Sequence, residues 1–224
     1  MKEAHLGRGP ESVRQNDYQV KKKLLIGTGN GGKYREIEQL LSELPLELLN
    51  LTDFELTEVE ETGATYLENA TLKAIAYAKA TSLWTLAEDS GLEVAELNGS
   101  PGIYSARHAG ESASSSERNK KVLSDLRKLH YADRTARFVC IAVVASPEGQ
   151  IVHSTEGVCI GSIATTSRGT NGFGYDSIFI PKGFTRTFGE LPVAIKQKLS
   201  HRAKATAQMK QFLTSIFDLK QSKL

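Results

Sequence analysis

The chain has 224 residues, 40% of them apolar and 24% charged, which suits one α/β domain with a sizeable core and room for a small lobe. A formal net charge of +2 makes no case for a nucleic-acid-binding surface on bulk charge, and no apolar run approaches the length of a membrane span. Cys140 and Cys159 lie in separate strand-like runs without CxxC or Cys/His pairing, so free thiols in a reducing, cytoplasmic compartment are expected rather than a disulfide or metal centre.

Residues 1–21 are polar and lack both periodicity and an apolar signal core, so they read as an extension ahead of one domain spanning 22–224. KKLLIG is the first strand. Lys33 to Leu44 follows as a helix with Ile37, Leu40, Leu41 and Leu44 on one face, stopped by Pro45, and LELLNL (46–51) is the second strand. The turn between, GTGNGGK, fits two templates: Gly27, Gly29 and Gly32 spell a dinucleotide-binding G-x-G-x-x-G, while Gly27, Gly32 and Lys33 spell most of a P-loop. A P-loop needs a serine or threonine hydroxyl after its lysine; Tyr34 stands there, which counts strongly against it. The dinucleotide reading keeps Asp53 as a ribose acid, and a tight turn without a ligand also stays open. All three share one physical feature. A glycine turn at a helix N-terminus aims backbone N–H groups and a positive dipole at one point, and Thr28, Asn30 and Lys33 make that point suit phosphates.

Thr65 with Glu68 forms a capping box ahead of a helix to about Ser82, on which Leu72, Ile75, Ala76 and Lys79 recur at helical spacing. Glu61 lies in the preceding loop. Asn69 and Lys73, four apart, share a face that can equally be a solvated stripe. LWTLAE (83–88) reads as a buried strand whose end carries Glu88 and Asp89 before Ser90 and Gly91 turn the chain. Carboxylates at a strand end suit magnesium, although an ordinary acidic turn looks the same.

Ser114 and Glu117 cap a third helix to about Leu129 with Val122, Leu123 and Leu126 inward. Residues 136–145 and the run after Ser146–Gly149 form a hairpin, so the sheet is mixed. In TNGFGYDSIF, glycines bracket Phe173 and leave its ring accessible for a nucleobase, with Asp176 an acceptor for base N–H groups; a core aromatic beside a bulge is the other reading. Ser200 caps a last helix through Leu219. His201 and Arg202 in its first turn oppose the helix dipole, which points to an anion or polar ligand edge before them or to a surface basic cluster, with Lys196 nearby.

Taken in order, TGNGGK (28–33), EETG (60–63), ENATLKA (68–74), EDSGLEV (88–94), GSPGIYSAR (99–107), NGFGYDSIF (171–179) and SHRAKA (200–205) closely resemble the inosine triphosphate pyrophosphatase family, the XTP/dITP diphosphatases, from about Lys23 to about Leu213. The resemblance implies an elongated mixed α/β sheet flanked by helices, two lobes with a central active-site cleft, and a homodimer. It implies magnesium-dependent hydrolysis of ITP, dITP or XTP between the α and β phosphates, giving monophosphate and pyrophosphate, with no nucleic-acid or membrane partner. By similarity Thr28, Gly29, Asn30, Gly31, Gly32 and Lys33 hold the phosphates with Lys73. Glu61 and Asp89 bind magnesium, and Asp89 is also the proton acceptor. Ser90 touches the substrate, and Phe173, Gly174, Tyr175 and Asp176 with Lys196, His201 and Arg202 form the base pocket. Three departures stand out: Glu88 for the usual first aspartate, Gly27 for the usual alanine, and Gln197 where an asparagine is common after the lysine. An NAD-dependent oxidoreductase and a non-catalytic nucleotide-binding module are the rival classes.

Overall fold

The computed structural model of the chain describes residues 21–129 and 133–218. Its first strand, β1 (Lys22–Ile26), buries Leu24, Leu25 and Ile26 completely because it lies inside the sheet with partners on both sides. From it the chain enters α1 (Gly31–Leu41), returns as β2 (Leu46–Asn50) parallel to β1, and continues through α2 (Tyr66–Thr81) to β3 (Trp84–Val94), parallel to β1 on its other side. Then follow α3 (Ser115–Lys128), β4 (Thr135–Ala145), β5 (Ile151–Ile163), β6 (Phe179–Pro181), α4 (Val193–Leu199) and α5 (His201–Ile216). The six strands form one mixed sheet in the order β2-β1-β3-β4-β5-β6, antiparallel from β3 onward. Among the described residues no helix is long and apolar enough to cross a membrane.

The expected elements hold in type, with instructive differences. Helix α1 ends at Leu41 rather than Leu44, and Leu44 still packs on the core from the turn before Pro45. On α2 the buried side is Asn69, Ala70, Lys73, Ala74, Tyr77 and Ala78; Leu72 is exposed, so the expected stripe of Leu72, Ile75, Ala76 and Lys79 is not the inner face. The small alanines let α2 lie close to Ala87, Val143 and Ala145 of the sheet, and close approach outweighs side-chain size here. Its capping box forms with a shift: Glu68 N donates to Thr65 Oγ1 (3.1 Å), but Glu68 Oε2 accepts from Ala64 N (2.6 Å). The seven-residue α4 was not foreseen. Helix α5 ends at Ile216, and Leu219 lies outside the described residues, as does the polar segment 1–20.

The main correction concerns β3. It does not end at its acids. It pairs with β1 only over Trp84–Leu86, then runs on to Val94 against β4, and no turn occurs at Ser90–Gly91. Gly91 serves close approach: a Cβ there would lie 2.3 Å from Gly102 O and 2.6 Å from Ser105 Oγ. The glycine loop leaves β1 where the parallel pairing stops, at Gly27 N to Leu86 O (2.8 Å), and so opens beside Glu88, Asp89 and Ser90.

The core divides accordingly. Leu24, Ile26, Ile37, Leu86 and Met209 pack β1, α1 and α5 on one side. Leu92, Val94, Val122, Leu126, Phe138 and Phe179 pack α3 against the far halves of the long strands. Between these two lobes lies the cleft.

Candidate active site

In the loop after β1, Asn30 is the N-cap of α1. Its Oδ1 accepts from Gly32 N (2.9 Å) and Lys33 N (3.1 Å), and Thr28 Oγ1 accepts from Asn30 N (3.2 Å). Several of the N–H groups expected to face a phosphate are thus taken up within the loop. Gly32 carries the ring of Phe173: a Cβ there would lie 2.8 Å from Phe173 Cδ1. Lys33 Nζ pairs with Glu88 Oε1 at 2.7 Å.

Strand alternation sends Glu88 and Asp89 to opposite faces of the sheet. Asp89 faces α2, where Asn69 and Lys73 are buried rather than solvated. Asn69 Nδ2 donates to Asp89 Oδ2 (3.2 Å), and Asn69 Oδ1 accepts from Gly63 N (2.8 Å), which fixes the segment carrying Glu61. Lys73 Nζ pairs with Glu61 Oε1 and lies 3.8 Å from Asp89 Oδ1. Burial raises the Asp89 pKa above the ordinary aspartate value; Lys73 and Lys33 oppose this, and Glu61 and Glu88 add to it. Burial works against the Lys73 charge, but Asp89, Glu61 and Glu88 outweigh it and its pKa is raised.

Among the described residues no three His, Cys, Asp or Glu side chains gather round one point. Glu61 and Asp89 nonetheless converge on one cation, the Lys73 ammonium. Two carboxylates with remaining positions left to water and phosphate oxygens match the donor set of magnesium, so these residues fit that ion.

Glu88, on the other face, is buried against Lys33, Arg202 and Cys140, whose Sγ donates to Glu88 Oε2 (3.2 Å). Burial opposes its charge, but Arg202, Lys33 and Lys73 hold its pKa well below the usual carboxylate value. Arg202 is buried at the start of α5, not part of a surface cluster. It reaches Glu36 Oε2 (2.5 Å), Ser90 Oγ (3.0 Å) and Glu88 Oε1 (3.4 Å). Lys196 pairs with Glu36 Oε1 (2.6 Å) and with Asp176. Glu36 and Glu88 therefore offset the cations near the α5 N-terminus. His201 is no cation: burial, with Arg202 and Lys196, lowers its pKa well below the ordinary value, and its ring stacks on Phe138 at 4.6 Å.

At the same end, Phe173 is half-buried with Lys196 Nζ 4.5 Å from its ring centroid. Asp176 is less free than expected, since its Oδ2 accepts from Phe173 N (2.8 Å) and Lys196. The Tyr175 ring lines the cleft, while its hydroxyl donates to Ser105 O (2.8 Å). The cleft comprises two adjoining cavities. One of about 180 Å³ is lined by Asp89, Ser90, Phe173–Asp176, Lys196, His201 and Arg202. The other, about 660 Å³, is lined by Thr28, Gly29, Lys73 and Arg107 among others, and Asn30, Lys33, Glu61 and Ala106 border both. Gly31, the first residue of α1, is exposed and lines neither cavity. Asp53 borders neither cavity; its Oδ2 accepts from Asn50 N (3.2 Å) and caps a short turn, so the dinucleotide reading loses its ribose acid.

The Ham1 family model matches residues 24–212 of this sequence. The chain belongs to the Ham1 family. It is 42% identical over 195 residues to a dITP/XTP pyrophosphatase of Haemophilus influenzae, covering 87% of this chain and 100% of that protein. It is 45% identical over 192 residues to a dITP/XTP pyrophosphatase of Geobacter sulfurreducens, covering 85% and 96%. The solved structure of a HAM1 protein from Coxiella burnetii superposes with a TM-score of 0.80 at 39% identity, covering 87% of this chain and 99% of that one. In this Ham1 chain most of the residues read from sequence line the two adjoining cavities, while Gly31 and Gly32 line neither. Glu36 escaped that reading, although it stands three residues after Lys33 on the same helical face. Arg107 was quoted within a motif but given no role. Gln197 lies apart, lining a cavity of about 280 Å³ behind Phe173.

Proposed function

We propose that this Ham1-family enzyme hydrolyses non-standard purine nucleoside triphosphates, dITP, XTP and ITP, to the monophosphate and pyrophosphate, clearing them from the nucleotide pool. The supporting observation is the junction of the two cavities, where Lys33 and Glu61 border both a cation-lined space and an aromatic, polar one that also holds Asp89. The relatives named as dITP/XTP pyrophosphatases agree with it. The base lies against Phe173 in the smaller cavity and the phosphates extend past Asp89 into the larger.

Lys33 and Lys73 neutralise the triphosphate as it enters. Asp89, whose raised pKa makes it a better base than an ordinary aspartate, accepts the proton of the attacking water. Magnesium, held by Glu61 and Asp89 when bound, supplies Lewis-acid polarisation of the phosphate. Ser90, fixed by Arg202, bounds the α-phosphate position. The Arg202 guanidinium is engaged by Glu36, Glu88 and Ser90, so recognition of a 6-oxo purine falls to His201 and to the first N–H groups of α5. Ser200 Oγ caps Ala203 N–H, leaving those of His201 and Arg202 to face a ligand. Adenine would set a donor against a donor, a mismatch of about 1–3 kcal/mol per buried group. A homodimer, which rests on the resemblance alone, and a cytoplasmic setting, which rests on the free Cys140 and Cys159 thiols, complete the reading.

The test is product analysis with dITP, XTP, ITP and the standard nucleotides in magnesium. Pyrophosphate should accumulate from the first three. Orthophosphate alone would overturn the reading, and NADH binding in a fluorescence titration would favour an oxidoreductase instead.

A further inference from the structure

We propose that Arg107 holds the departing pyrophosphate, an inference that rests on the pyrophosphatase reading of the site. Three cations line the larger cavity, Lys33, Lys73 and Arg107. The two lysines are already paired at short range with Glu88 and Glu61. Arg107 Nη1 stands 3.7 Å from Glu61 Oε2, beyond hydrogen-bond reach, so Glu61 attracts the guanidinium without engaging its donors. Its other contact is the Tyr104 ring, 5.1 Å from the guanidinium carbon to the centroid. A planar fork of this kind suits bidentate binding of phosphate oxygens better than a lysine does.

The loop that carries Arg107 is fixed on both sides. Ser105 Oγ accepts from Leu92 N (2.9 Å), and Ser105 O accepts from the Tyr175 hydroxyl (2.8 Å). Arg118 Nη1 donates to Ala106 O (2.9 Å) and Ala113 O (2.6 Å). The backbone of Arg107 is therefore tied to β3, to the base-pocket loop and to α3, while its side chain projects over the larger cavity. Glu58, Glu60 and Glu111 line that cavity too, but they are exposed and screened by solvent, whereas Arg107 is half-buried.

Substrate direction assigns the phosphate. Asn30, Lys33, Glu61 and Ala106 border both cavities, and Asp89 and Ser90 border only the smaller, so the α-phosphorus sits at the junction. Arg107 borders only the larger cavity, beyond that junction, where the β and γ phosphates extend. During hydrolysis the water oxygen bonds to the α-phosphorus and its proton passes to Asp89. The bond from that phosphorus to the α–β bridging oxygen breaks, and its electron pair leaves on the pyrophosphate. Charge then grows on the group that Arg107 faces.

Product inhibition separates this role from loop support. In Arg107→Ala, kcat/KM for dITP should fall about 100-fold, and inhibition by added pyrophosphate should weaken about tenfold or more. Inhibition by dIMP should be unchanged. Arg107→Lys should recover part of the pyrophosphate inhibition. If Arg107→Ala does not fold, Arg107→Lys alone must still show weaker pyrophosphate inhibition with normal dIMP inhibition. Unchanged pyrophosphate inhibition, or equal loss of inhibition by both products, would overturn the proposal while wild-type turnover stands. Failure of the wild-type enzyme to release pyrophosphate would instead overturn the reading of the function itself.

Discussion

Asp89 is pulled in opposite directions. Burial and the nearby Glu61 and Glu88 disfavour its charge, and Lys73 and Lys33 restore part of it. Asp89→Asn keeps the shape and the Asn69 contact but cannot accept a proton, so turnover should drop by about 10²–10⁴-fold with the unfolding midpoint retained; full activity would remove Asp89 from the role of base. His201 gives a second test at this scale. Its folded pKa lies well below the ordinary 6.5, so below pH 6.5 the unfolded chain binds a proton that the folded one refuses. Stability should therefore fall as pH drops through that range, and urea titrations of His201→Gln should show a shallower decline than the wild type. The sequence offered both residues readily, since each stands in a dense motif. It could not offer their protonation, which depends on what buries them.

At the scale of elements, β3 and α2 decide the site together. Read alone, Glu88-Asp89-Ser90-Gly91 looks like a strand end and a turn. In the fold it is mid-strand, because β4 supplies antiparallel partners all the way to Val94. Gly91 is there so that Gly102, Ser105 and Tyr66 can press against the strand. Gly91→Ala should force that layer apart and cost about 1–3 kcal/mol, measured as a lower urea midpoint with loss of activity, since the same loop carries Arg107. On α2 the alanines mark the inner face and carry Asn69 and Lys73 inward with them. Hydropathy favoured Leu72 and Ile75; helix-to-sheet distance favoured the alanines, and a linear pattern cannot report that distance.

Across the whole molecule, one line of alternating charge joins the two ends of the cleft: Asp176, Lys196, Glu36, Arg202, Glu88 and Lys33. It couples the base pocket to the loop after β1 through partly buried side chains of α1 and buried ones of β3, α4, α5 and the loop between β5 and β6. Glu88→Gln would leave Lys33 and Arg202 facing each other without their shared counter-charge. Denaturant unfolding should show a loss of about 3–5 kcal/mol, larger above the ordinary glutamate value of 4.5 than well below it, because Glu88 stays ionised in the folded state as the unfolded chain takes up a proton. A variant as stable as the wild type would mean that the pairs contribute nothing net.

By itself the sequence determined the order of elements apart from α4, the mixed sheet, the glycine loop ahead of α1 and many, though far from all, of the residues that line the cleft. These follow from local periodicity, caps and spaced motifs, which are properties of neighbours along the chain. Only the tertiary structure decided that Glu88 and Asp89 part company on opposite faces of β3, that Glu36 joins the site, that Tyr175 serves as an anchor, and that Arg107 reaches over the larger cavity. Each of these depends on contacts between residues far apart in sequence, where burial and the sign of the nearest charge, not residue type, set what a side chain does.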